Sequence, residues 1–263
     1  MRTLPPMGLK IAVSGKGGVG KTTIAGLLAR FFARNGKRVI AIDADPVPNL
    51  AAALGIPRDT PVAPIVGLRD LIAERTGTQP GGYGGFFKLN PTVDDIPDRF
   101  SVEKDGVRLL VMGTVDHGGK GCVCPESVLL KALVQHLLLH RDDTVVMDME
   151  AGVEHLGRAT SSAVDRMLIV VDPGLRSMEA AKKIRSLAAD IGVKTAGIVN
   201  RVRDDGDRDR VAKTLPDLEI LAWLPFDDTF LTADRDGTRP YDDLTRAPAE
   251  VARLVQTLEA LRA

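Results

Sequence analysis

Residues 14–23 read SGKGGVGKTT, and no other stretch restricts the fold of this chain so strongly. Gly15 and the triplet Gly20-Lys21-Thr22 satisfy G-x-x-x-x-G-K-[ST], a spacing that wraps backbone around phosphates. An apolar run, LKIAVS (9–14), leads into it and a helical pattern, KTTIAGLLARFFARNG (21–36), leads out. That strand–loop–helix setting is what the motif requires. Glycines let successive N–H groups turn toward one anion, and the helix N-terminus adds positive potential. Gly15, Lys16, Gly17, Gly18, Val19, Gly20, Lys21, Thr22 and Thr23 are therefore candidate nucleotide-binding residues. Lys21 is placed to reach the β- and γ-phosphates, and the Thr22 hydroxyl to sit on Mg²⁺.

The remaining sequence alternates apolar runs with helical patterns. Strands are expected near 9–14, 38–43, 107–112, 143–148, 165–171, 193–199 and 219–223. Helices are expected near 21–35, 125–140, 175–190 and 245–262, with shorter ones near 49–54 and 66–75. Unbroken Val/Ile/Leu strands alternating with helices predict an α/β fold, a mostly parallel sheet of about seven strands flanked by helices. At 263 residues this suits a single domain over 1–263, with 76–106 read as a long insertion loop. RDDGDRDR (203–210) alternates charge sign and reads as a solvated face.

Lysine plus arginine equals aspartate plus glutamate, 35 each, so no global basic field recruits nucleic acid or an anionic membrane. Runs such as MLIVV (167–171) are far shorter than the roughly 18 residues of a membrane span, and MRTLPPMG lacks the apolar core of a secretory signal. With two cysteines there is no disulfide framework; the expected setting is cytoplasmic.

Two acids end strands beside the loop. RVIAID (38–43) ends at Asp43, which can orient a water or help hold Mg²⁺, or else cap the next helix. DTVVMD (143–148) ends at Asp148 like a Walker B strand, whose aspartate binds Mg²⁺ through water. The next stretch, MEAGVEHLGR (149–158), occupies a switch position, where Glu150, Glu154 and His155 are read as polar loop residues. GIVNRV (197–202) ends another strand; its Asn200, with Arg201 beside it, can pair with adenine or simply close a turn.

With its second loop lysine, Lys16, the sequence resembles the deviant-loop (KGGVGKTT) ATPases, the group of the septum-positioning and plasmid-partition ATPases and the nitrogenase iron protein. The resemblance implies that Lys16 crosses a dimer interface to the partner's nucleotide and, with Lys21, stabilises phosphoryl charge. It implies that Asp43 polarises the attacking water, so that Lys16, Lys21 and Asp43 form the catalytic set. It also puts Asn200 at the adenine and Pro225, Phe226 and Asp227 in the other loop bordering the base. No asparagine–lysine–x–aspartate guanine signature is present, which favours ATP over GTP.

GCVCPE (121–126) holds both cysteines. Pro125 suits the first helical position, which puts Cys124 at the N-cap, where the dipole and Lys120 favour a thiolate. One C-x-C supplies two sulfurs, against the four ligands of a closed metal site; two copies would supply four. Two buried cysteines and a reversible disulfide are the other readings. With VMGTVDHGG (111–119), VVMDMEAGVEHLGRAT (145–160) and FFKLNPTVDDIPDRFS (86–101), this segment resembles the CooC-type accessory ATPases along nearly the whole chain. The resemblance implies a homodimer that cycles ATP and ADP and holds Ni²⁺ or Zn²⁺ between the Cys122 and Cys124 pairs. Its implied client is nickel-containing carbon monoxide dehydrogenase or the associated acetyl-CoA synthase, with no nucleic-acid or membrane partner. An iron–sulfur carrier and a positioning ATPase are the rival readings. The YGG stretch and Val47-Pro48 depart from the family pattern.

Overall fold

The structure is a computed structural model that describes residues 8–78, 86–114, 124–152 and 158–262. β1 (Lys10–Gly15), β2 (Val39–Ala44), β4 (Val107–Val111), β5 (Thr144–Met149), β6 (Arg166–Val171), β7 (Thr195–Val202) and β8 (Ile220–Pro225) are parallel, and a short β3 (Val102–Lys104) runs antiparallel to β4. Their order is β3-β4-β2-β5-β1-β6-β7-β8. The expected fold class holds, with one strand more than the sequence patterns give. That strand exists because Asp105-Gly106, both at positive φ (50° and 79°), form the kind of two-residue turn that closes a hairpin.

Both faces of the sheet are covered, which is why β1, β2 and β5 are buried at every position. Ile11 and Val13 point to the face under α1 (Lys21–Arg34), α2 (Leu50–Leu54) and α10 (Ala249–Glu259). Ala12, Met147 and Ile169 point to the opposite face under α5 (Pro125–Leu139), α7 (Leu175–Asp190) and α3 (Arg69–Thr76). Leu254, Val255 and Leu258 of α10 join the first core, so the last helix packs on β8 and α1.

One expectation is corrected. The stretch 76–106 is not one loop: it contains α4 (Ile96–Phe100) and β3, anchored by fully buried Ile96. The expectation for the charged run is borne out: residues 203–210 are almost all exposed, and they form the solvated start of a helix, α8 (Asp205–Thr214), whose N-cap Asp204 accepts a hydrogen bond from the Asp207 N–H at 2.9 Å. The helices expected from sequence patterning also leave out α9 (Asp228–Asp236), and the short α6 (Arg158–Ser161) completes the set.

Candidate nucleotide site

β1 lies between β5 and β6, and the loop leaving its carboxyl end enters α1 directly. This is the crevice position where open α/β sheets bind ligands. Gly15 leaves the strand at φ 155°, and a Cβ there would stand 2.5 Å from the Val170 carbonyl oxygen. Gly20 is left-handed at φ 95°, and a Cβ there would stand 2.7 Å from Asn200 Nδ2. Both positions require glycine, as a loop presenting bare N–H groups demands.

Gly17, Gly18, Gly20, Lys21, Thr22 and Thr23 line a cavity of about 300 Å³. Lys21 is 7% exposed, with Nζ 4.0 Å from Asp45 Oδ2. Lys16 is exposed at the rim and does not line the cavity, and Val19 is buried behind the loop, its N–H on the Lys16 carbonyl.

Asp43 and Asp148 are register partners on neighbouring strands, both with no exposed surface. Asp43 Oδ2 accepts from the Leu50 N–H (2.8 Å) and Oδ1 from the Asp45 N–H (3.2 Å), tying β2 to the start of α2. Burial pushes its pKa up to about 6 against those hydrogen bonds, which pull it down. Asp148 is different: neither carboxylate oxygen has a geometrically sound hydrogen-bond partner. Burial first and the nearby Asp43 charge raise it to about 7, while the Thr22 hydroxyl and Lys21 pull the other way. A buried, unpartnered carboxylate beside a threonine hydroxyl is a hard-oxygen donor set that suits Mg²⁺. Thr22 and Asp148 would hold the ion, with Asp43 next to them; when bound, Mg²⁺ neutralises charge on the phosphate oxygens.

Asn200 is 4% exposed; its Nδ2 donates to the Val19 carbonyl (2.9 Å) and its Oδ1 accepts from the Arg201 N–H (3.0 Å). Its amide thus braces the phosphate loop, while Arg201, at φ 62°, joins it on the cavity wall. Pro225 ends β8, and neither it nor Phe226 and Asp227 just after it lines the cavity. Asp227 caps α9 through the Thr229 N–H (2.8 Å) and accepts the Tyr241 hydroxyl. The wall is instead built further along the chain, by Phe230, Leu231, Gly237, Thr238 and Pro240 among others. The sequence signal for this missed wall was a helix bracketed by capping Asp227 and left-handed Gly237. Ser14 is a second omission: its Oγ donates to the Glu150 carbonyl at 2.9 Å, joining β1 to the segment after β5.

Cys124 is the N-cap of α5, as expected, its sulfur accepting from the Ser127 N–H at 3.5 Å. Cys122, Lys120, Glu154 and His155 lie outside the described residues. Among the described residues no group of three or more His, Cys, Asp or Glu side chains is arranged to hold a metal, and no helix is long and apolar enough to cross a membrane.

Residues 10–241 match the family model of the CobQ/CobB/MinD/ParA nucleotide binding domain. Among curated relatives, the carbon monoxide dehydrogenase accessory protein CooC of Rhodospirillum rubrum is 47% identical over 237 residues, covering 89% of this chain and 90% of that one. An uncharacterized ATP-binding protein of Methanocaldococcus jannaschii is 44% identical over 258 residues, 97% and 99% of the two chains. The fold is similar to that of the MinD cell division protein of Aquifex aeolicus, at TM-score 0.67 and 22% identity over 95% of this chain and 97% of that one. On these matches and the loop geometry, the chain belongs to the CobQ/CobB/MinD/ParA nucleotide-binding family and is an ATPase of its deviant phosphate-loop group.

Proposed function

We propose that this ATPase serves the maturation of carbon monoxide dehydrogenase, or of the associated acetyl-CoA synthase, as a cytoplasmic nickel chaperone working as a nucleotide-dependent homodimer. The observation that carries this reading is the 47% identity to CooC over about nine-tenths of both chains, in a sequence that carries a C-x-C of its own. ATP is the substrate at the cavity. Loop N–H groups and Lys21 hold the phosphates, and Asp43, whose oxygens retain free lone pairs beyond their two backbone bonds, orients the attacking water. The exposed position of Lys16 at the rim supports its reaching a partner protomer's nucleotide. Asn200 and Arg201 are the adenine-side residues, Asn200 through the loop it braces, and the Pro225–Asp227 turn acts on the base side indirectly, through the Tyr241 hydroxyl that Asp227 accepts.

Nickel is cargo in this scheme, held by Cys122 and Cys124 of both protomers; Zn²⁺ fits the same thiolates. Because Ser14 ties β1 to Glu150 after β5, and β5 carries Asp148, departure of the γ-phosphate would be felt in the segment just past the strand. Opening of the dimer would then divide the four-sulfur site and release the ion.

The experiment is nickel titration with and without ATP, following mass and thiolate-to-metal absorption. One nickel per ATP-bound dimer is expected, with Cys122→Ala losing nickel and keeping ATPase activity. Unchanged nickel stoichiometry in that variant removes the metal assignment, and a monomer at saturating ATP removes the dimer.

A further inference from the structure

The outer wall of the nucleotide cavity is fastened to α1, the helix that begins with Lys21, by one buried arginine. Arg30 is 5% exposed, and its guanidinium donates from Nη1 to the Pro240 carbonyl (2.8 Å) and from Nη2 to the carbonyls of Tyr241 and Asp242, the latter at 3.3 Å. Three successive carbonyls can converge on one cation because Tyr241 sits at φ 55°, a left-handed conformation that a non-glycine residue keeps only where its surroundings impose it. Tyr241 is held from its other end by its hydroxyl on Asp227 and by an edge-on contact with Phe230, ring centroids 5.6 Å apart. Phe230 and Pro240 both face the cavity.

No residue of α1 beyond its first turn touches the cavity, and Arg30 lies nine residues past Lys21, about 13 Å along the helix. Its fork is therefore spent on the wall and not on phosphate. The phosphate end of the cavity is the loop; Phe230, Leu231 and Pro240 supply apolar wall, which suits a base and ribose.

We infer that Arg30 is a positioning residue for nucleoside recognition: by holding the carbonyls of Pro240, Tyr241 and Asp242, it fixes the Phe230–Pro240 wall against which the nucleoside part of ATP binds. This rests on the assignment of the cavity to ATP and not on the nickel role. Loss of the fork frees the wall, so the nucleoside must order it on binding, whereas the phosphate loop is untouched.

The test measures Mg²⁺-dependent binding of ATP and of inorganic tripolyphosphate to the full chain, with steady-state hydrolysis, for Arg30→Met, Arg30→Lys and Tyr241→Phe. Arg30→Met is expected to weaken ATP about tenfold, leave tripolyphosphate within about twofold, and raise KM with kcat held. Arg30→Lys should recover only part of the loss, because a point charge reaches fewer carbonyls than a planar fork. Tyr241→Phe, which leaves Arg30 intact, should show the same split at about threefold and serves if the arginine variants fail to fold. Equal weakening of ATP and tripolyphosphate, or no weakening of ATP in folded variants, overturns the inference. Failure of the unaltered chain to bind ATP would instead overturn the assignment of the cavity itself.

Discussion

Asp143 and Asp148 stand at opposite ends of β5, equally buried and oppositely treated. Asp143, 1% exposed, accepts from Arg108 (2.6 Å) and Arg141 (2.8 Å), has Arg38 at 4.0 Å, and its backbone carbonyl takes the Lys10 ammonium at 2.6 Å. Asp98 extends this cluster through Arg108 (2.5 Å) and Arg141 (3.0 Å). Asp148, with no exposed surface, has unpartnered carboxylate oxygens. A buried carboxylate hydrogen-bonded to its counter-charges holds strands together; one left without a hydrogen-bonded partner is a cost the fold retains for a ligand. The amino-terminal edge of the sheet is thus built for stability and the carboxyl-terminal edge for chemistry.

The sharpest break in that contrast would come from Asp148→Asn. Hydrolysis should fall at least ~100-fold, while the ligand-free protein at pH 8 should melt no lower than the unaltered chain, because a neutral amide is cheaper to bury there. A large drop in melting temperature would place Asp148 with Asp143 as a structural acid.

Asp143→Ala should do the reverse. Removing it leaves Arg108 and Arg141 without their buried partner and should lower unfolding free energy by roughly 3–5 kcal/mol. ATP affinity measured well below the melting transition should stay within about twofold, since the site lies at the other edge. Denaturant unfolding with parallel ATP titration reads both quantities.

pH separates the two edges by sign. Asp43 and Asp148 hold protons up to about pH 6 and about pH 7 in the folded state, against an ordinary 3.8. The folded chain therefore binds more protons than the unfolded chain between those values, so ligand-free stability should fall as pH rises from about 4 to 7, by roughly 7 kcal/mol at most for the two acids together. Mg²⁺–ATP should flatten this slope. Asp98 goes the other way: Arg141 and Arg108 hold its carboxyl below the usual range, so its contribution is present above the ordinary carboxylate pKa and lost as pH falls below about 4. Thermal melts from pH 3 to 8 should show a maximum near the lower-middle of that range, and Asp148→Asn should weaken the neutral-pH decline. A flat profile in the ligand-free protein would remove the claim that these acids are buried at a cost.

The smallest effect belongs to Asp98→Asn. Its side chain is 55% exposed, so its arginine pairs are screened and should be worth less than about 1 kcal/mol, shrinking further in 0.5 M salt. A loss as large as that of Asp143→Ala would mean the whole cluster acts as one unit.

The sequence by itself determined the phosphate loop, the central strands, the two strand-end acids and the N-cap at Cys124, because each is encoded within a few residues. Glycine spacing, apolar runs bounded by acids and a proline after the cap need no distant partner to be legible. Only the tertiary structure decided that Asn200 braces Val19 across 181 residues, that Arg30 gathers carbonyls from 240–242, and that Asp143 is paired while Asp148 is not. It also placed the cavity wall on α9 and the segment after it, beyond the turn at Pro225–Asp227. The physical reason is that hydrogen-bond satisfaction and desolvation depend on neighbours brought from remote parts of the chain, and two aspartates five residues apart look alike until those neighbours arrive.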